Sequence, residues 1–127
     1  MTERVKRIPG ADHPIDIVPC SGRVVVRVGD RVIADSHDAL TLCEADYPPV
    51  QYIPRKDVDM AVLAPSAHRS YCPYKGEAGY FDLVLPGAQE RNAVWTYEAP
   101  YDTVAAIAGH VAFYPDPVTI MVEQPGD

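Results

Sequence analysis

The sequence has no uninterrupted apolar run near the roughly 20 residues that a membrane-spanning helix needs, so no membrane span is expected. Its first ten residues carry charges but no apolar h-region, which weighs against a secretory signal. Cysteine is scarce. Cys20, Cys43 and Cys72 are odd in number and form no CxxC pair. That argues against a disulfide framework and a structural zinc site, and it points to reduced thiols in a cytoplasmic protein. Positive charge is also in short supply, with 11 basic residues against 18 acidic ones and a formal charge of -7. An acidic surface repels phosphate backbones and anionic lipid, so neither nucleic acid nor a membrane surface is an expected partner. Internal repeats and low-complexity segments are missing too, and nothing calls for a metal or another cofactor.

What is abundant is proline, with 13 residues in a chain of 127. Proline interrupts helix interiors and central strands, so the elements must be short. The length suits one domain with a core that needs no staple. Residues 1–20, with Pro9, Gly10, Pro14 and Pro19, read as an irregular arm ahead of a β-rich domain over 21–127. The β-branched run Arg23-Val24-Val25-Val26-Arg27-Val28 is a strand, Gly29-Asp30 a tight hairpin turn, and Arg31-Val32-Ile33-Ala34 its partner. Further strands are expected at 40–43, 50–53, 80–85, 93–97, 111–114 and 118–122, with a helical turn or two over 56–62 and a loop over 68–76. The best helix candidate spans 101–108, between Pro100 and Gly109, with Val104, Ile107 and Ala108 at helical spacing. The predicted class is mainly β with a minor helical part: a bent sheet pair or partly open barrel of short antiparallel strands.

Groups that act on ligands crowd into 52–76: Tyr52, Arg55, Asp57, Ser66, His68, Ser70, Cys72, Tyr74 and Lys75. Aromatics alternate with charges there and prolines stiffen the backbone, which is what a preformed pocket needs. A surface loop of ion pairs and packed tyrosines is the competing reading. Trp95 and Tyr97 share strand parity and so point to one face. Phe113 and Tyr114 read as core. His68 and Cys72 are four apart but in a proline-bearing loop, with no third metal ligand near, and His37 and His110 stand alone.

Beyond residue 20 the chain resembles a known family. The stretches Ile33-Ala34-Asp35-Ser36, Tyr52-Ile53-Pro54-Arg55-Lys56-Asp57-Val58, Cys72-Pro73-Tyr74-Lys75-Gly76, Asn92-Ala93-Val94-Trp95-Thr96-Tyr97 and Val111-Ala112-Phe113-Tyr114, with Glu44, look like the bacterial domain-of-unknown-function-427 family. The resemblance implies a compact β-tent, similar in outline to Mss4-like folds. The family has carried a nucleotidyltransferase-like label. Nucleotidyl transfer uses clustered carboxylates and a glycine-rich phosphate loop, and neither GxGxxG nor GxxxxGK[ST] nor DxD is present beyond the lone spacing of Asp57-Val58-Asp59.

The family motifs nominate Glu44, Tyr52, Arg55, Asp57, Cys72, Lys75, Trp95 and Tyr97. Each has two roles open to it. Arg55 offers a planar donor fork for an anion, or a salt bridge to Asp57 or Glu44. Lys75 is a ligand cation beside Gly76, or a solvated turn lysine. Asp57 is a general base, or the partner that orients Arg55. Cys72 is a nucleophile activated by Lys75, Arg69 or His68, or a small buried hydrophobe. The expected function is binding of a polar or anionic small metabolite against Arg55 and Lys75, walled by Tyr52, Trp95 and Tyr97. The alternatives are a hydrolase or transferase using Cys72, Asp57 or Glu44, and a structural or protein-interaction module.

Overall fold

The computed structural model describes residues 5–124. Ten strands follow one another: β1 Ile15–Pro19, β2 Arg23–Val28, β3 Arg31–Ser36, β4 Leu40–Glu44, β5 Val50–Pro54, β6 Leu63–Cys72, β7 Gly76–Leu85, β8 Ala88–Thr96, β9 His110–Phe113 and β10 Thr119–Glu123. They form a seven-stranded sheet in the order β1-β4-β5-β9-β8-β7-β6 and a three-stranded sheet in the order β10-β2-β3. All pairings are antiparallel. Neither sheet closes into a barrel. Among the described residues no helix is long and apolar enough to cross a membrane.

Strand alternation explains how the two sheets meet. Ile53, Val94, Val111 and Phe113 point from one face of the large sheet towards Val24, Val26, Ile33 and Ala34 of the small one. These side chains are buried and form the main core. Removing each such aliphatic side chain from water stabilises the fold by about 1.5–3 kcal/mol. The opposite face of the large sheet carries the other parity. Leu42, Tyr52, Ala78, Tyr97 and Ala112 form a second cluster there, with Trp95 and Tyr80 at its margin. The chain thus reads one face of β5, β8 and β9 as aliphatic core and the other as an aromatic surface.

The hairpin between β2 and β3 turns at Gly29, whose φ of 58° favours glycine, and Pro86-Gly87 turns β7 into β8. Three elements differ from expectation. First, Ile15–Pro19, inside the stretch expected as an irregular arm, is strand β1, paired along β4 from Ile15↔Glu44 to Pro19↔Leu40. As an edge strand it tolerates the proline that weakened its sequence signal. Second, the expected loop over 68–76 belongs mostly to β6, which runs to Cys72. Pro65 survives there because β6 is also an edge and because its pairing shifts register between Pro65 and Arg69. Third, the helix candidate is a 3-10 segment, Asp102–Ile107, kinked at Val104. Its backbone bonds close over three residues, Val104 N–H to the Tyr101 carbonyl and Ala108 N–H to the Ala105 carbonyl, and residues three apart stack on one face of a 3-10 turn. Val104 and Ile107 accordingly both seat on the aromatic face of the large sheet. The turns expected over 56–62 are two short 3-10 segments, Arg55–Asp57 and Met60–Val62.

Candidate functional site

A cavity of about 360 Å³ opens on the second face of the large sheet, bounded by the β4–β5 and β6–β7 turns. Alternation supplies its walls. Leu42, Tyr52, Tyr80 and Trp95 all share the face opposite the main core, and Tyr97 continues the parity of Trp95 past the end of β8. Tyr80 and Trp95 are direct cross-strand partners. Between β5 and β8 runs β9, whose residue directly opposite Trp95 is Ala112, with only a methyl on this face. The small residue lets the Trp95 indole reach across and donate to the Tyr52 hydroxyl at 3.1 Å, with the two rings edge-on at 6.3 Å. Tyr47 and Tyr114 complete the rim, and Tyr114 packs against Trp95 at 4.5 Å between ring centroids.

One end of the cavity is charged. Lys75 follows Pro73 and Tyr74 in the β6–β7 turn, and Gly76 reverses the chain with a φ of 107°. That conformation is strained for any residue with a side chain, which accounts for the glycine after Lys75. The turn buries Lys75, which is 8% exposed, and sets its Nζ 2.6 Å from Glu44 Oε1. The second carboxylate oxygen lies 2.7 Å from His13 Nε2, and the His13 ring stacks on Tyr74 at 4.0 Å. Lys75 Nζ also lies 3.7 Å from Cys72 Sγ and 5.9 Å from the centroid of the Tyr97 ring. An ammonium has three donors. Glu44 and the sulfur engage two, and one is left for the cavity.

Electrostatics keep this end ionised and the walls neutral. Burial pushes the Glu44 carboxyl up, but the hydrogen bonds from Lys75 and His13 outweigh it and hold Glu44 below its ordinary range. Burial pushes the Tyr52 phenol up to about 12 despite the Trp95 hydrogen bond. Tyr97 is pushed well above its ordinary value, also by burial. Tyr114 is raised to about 12 by burial and by the adjacent Tyr80 hydroxyl. At neutral pH these phenols are therefore uncharged hydroxyls that can donate or accept.

Of the eight nominated residues, Glu44, Tyr52, Lys75, Trp95 and Tyr97 line this cavity, and Cys72 touches it through Lys75. Lys75 is not a solvated turn lysine; its pairing with Glu44 draws it inside. Arg55 lines a different cleft, where it bonds Glu98 and Thr96 rather than Asp57 or Glu44. Three residues on along extended backbone, its side chain leaves on the side opposite Tyr52. Asp57 orients no arginine: it accepts from Ser36 Oγ at 2.7 Å and from Lys56 Nζ at 3.1 Å. Phe113 is core, whereas Tyr114, read as core, is 41% exposed and rims the cavity. His13 and Tyr47 were not visible as site residues. His13 meets Glu44 across 31 residues of sequence, which no local pattern reports. Tyr80 was within reach, since its strand parity pairs it with Trp95. Among the described residues no three His, Cys, Asp or Glu side chains gather where a metal ion would fit.

No curated protein matches the chain significantly. A family model does, over residues 16–124, so nearly every element described above falls within it, and the chain belongs to the domain-of-unknown-function family DUF427.

Proposed function

We propose that the domain binds a small polar metabolite with a planar or sugar-like body in the tyrosine- and tryptophan-walled cavity. The observation that carries this reading is the convergence of Glu44, Tyr52, Lys75, Trp95 and Tyr97, drawn from four separate parts of the chain, on one cavity of about 360 Å³. That volume is within the roughly 300–1,000 Å³ of small-molecule sites. Aromatic walls bury the ligand body, and the Tyr52 and Tyr97 hydroxyls with the spare Lys75 donor fix its polar groups. Because Lys75 is already neutralised by Glu44 and Arg55 stands elsewhere, a neutral ligand with an acceptor for Lys75 fits better than a strongly anionic one. Nucleic acid remains a poor partner for a chain of charge -7.

The test is thermal stability against a panel of nucleosides, sugars and aromatic carboxamides. At a ligand concentration of about 100 Kd, binding adds about 2.7 kcal/mol, which raises Tm on the order of 10 °C. Trp95→Ala should abolish the shift. A panel without any stabilising ligand, or a shift that survives Trp95→Ala, defeats the proposal.

A second reading is an enzyme with Cys72 as nucleophile, favoured by the 3.7 Å contact between its sulfur and Lys75 Nζ. Glu44 suits the general-base role poorly, since both of its oxygens are engaged and its pKa is depressed. Asp57 is outside the cavity altogether.

A further inference from the structure

A second cleft, of about 390 Å³, lies beside β6, β7 and the end of β8. Arg69, Gly79 and Thr96 are successive cross-strand partners there, so they share one face. Trp95, one position from Thr96, faces the other side, and Tyr80 is the residue that the cleft shares with the aromatic cavity. Gly79 leaves the middle of this row without a side chain, and the Arg69 guanidinium rests over it. Arg69 is anchored by one nitrogen only: Nη1 donates to the Ser66 and His68 carbonyls, both at 2.8 Å. Arg55 is anchored in the same manner. Its Nη2 donates to Thr96 Oγ1 at 3.3 Å and to the Glu98 carboxylate, and its guanidinium sits 5.6 Å from the centre of the Phe81 ring.

Two features of Arg55 point to a missing acceptor. Its Nε is buried and has no hydrogen-bond partner. Such an orphaned donor costs about 1–3 kcal/mol, more when it is charged. Among the described residues the carboxylate bonded to Arg55 is that of Glu98, on the bend after β8, with a side chain 63% exposed and so easily displaced. Glu77 also lines the cleft, so its carboxylates balance its guanidiniums only while Glu98 stays in place. A guanidinium fixed at one nitrogen presents its remaining N–H edge as a fork matched to two oxygens.

We propose that this cleft is an oxyanion site, taking a carboxylate or phosphate group of a small molecule between Arg55 and Arg69. Glu98, on the neighbouring Nη2, competes with the anion for the charge of Arg55. The Nε–H groups of the two arginines give a direct readout in the nitrogen-15-labelled protein, titrated separately with inorganic phosphate and with acetate. The expected result is saturable movement of both Nε–H signals with one of the anions, which identifies the oxyanion. Arg69→Ala should weaken binding about tenfold, as loss of one charge-assisted contact predicts. Glu98→Gln, a change at an exposed side chain, should tighten it severalfold by removing the competing carboxylate. Trp95→Ala should leave the anion response intact, which separates this site from the aromatic cavity. The proposal is overturned if neither anion moves the signals in wild type and in Glu98→Gln. Equal binding by Arg69→Ala, or no tightening in Glu98→Gln, overturns it as well.

Discussion

Lys75 and Glu44 are 31 residues apart in sequence, yet their side chains meet at 2.6 Å with only 10% and 14% of their surfaces exposed. The pair ties the β6–β7 turn to the end of β4 and closes the polar end of the cavity. A pair so far from solvent is costly to break, because the survivor is left charged and uncompensated.

Lys75→Met should therefore lower stability by about 3 kcal/mol, and Glu44→Gln by a similar amount. The double variant should lose less than the sum of the two, since each single change already removes the interaction. Urea denaturation of the four proteins measures this coupling. Additive losses would show that the pair contributes nothing as a pair.

Glu44 also makes stability depend on pH. Its folded-state pKa is depressed, so its contribution is fully present above the unfolded carboxyl value of about 4.3 and is lost as pH falls through the lower folded value. The gap in urea midpoint between wild type and Glu44→Gln should thus narrow from about pH 6 to about pH 3. A gap that stays constant over that range would contradict the depressed value.

The buried phenols act at the other end of the scale. Tyr52 and Tyr114 are raised to about 12, and Tyr97 is raised as well. The folded state then holds protons that the unfolded chain releases near its phenol value of about 10, so stability falls as pH rises from about 10 to about 12. Phenolate absorbance should show Tyr52 and Tyr97, two of the eight tyrosines, titrating only as the protein unfolds. Eight equivalent phenols titrating near about 10 would count against the buried wall.

Gly76 is the hinge on which Lys75 turns inward. With φ at 107°, Gly76→Ala should destabilise the domain by more than about 1 kcal/mol, although the nearest atoms leave room for a Cβ, at 3.6 Å from the Ala99 carbonyl oxygen. The penalty is conformational rather than steric. Equilibrium denaturation that finds Gly76→Ala as stable as wild type would show that the turn tolerates another path.

Cysteine labelling separates binding from thiol catalysis. Cys43 is exposed, whereas Cys72 is half-buried beside Lys75. For a binding domain, iodoacetamide at neutral pH should modify Cys43 first. Faster labelling of Cys72 than of Cys43, slowed by Lys75→Met, would favour the enzyme reading instead.

Much of this could be read from residue order alone. The valine run and Gly29 specify the β2–β3 hairpin through propensity and a positive-φ turn, both of which act over a few residues. Period-two alternation put Trp95 and Tyr97 on one side of the sheet. The two stiff motifs around Tyr52 and Cys72 carried much of the family resemblance and two of the residues that line the cavity, Tyr52 and Lys75. Tertiary structure decided what those residues face. Arg55 is three positions from Tyr52 but belongs to another cleft, where Thr96 and Glu98 at the end of β8 hold its guanidinium. His13 and Glu44 meet only because β1 pairs with β4, and Lys75 is paired only because the fold brings the end of β4 to its turn. Propensity and alternation depend on neighbours in sequence, so the sequence determined the β2–β3 hairpin, most of the other strands and the shared facing of Trp95 and Tyr97, but not the edge strands β1 and β6. Charge pairing and burial depend on distances between strands far apart in the chain, so only the fold could decide which charges are neutralised and which cavity they line.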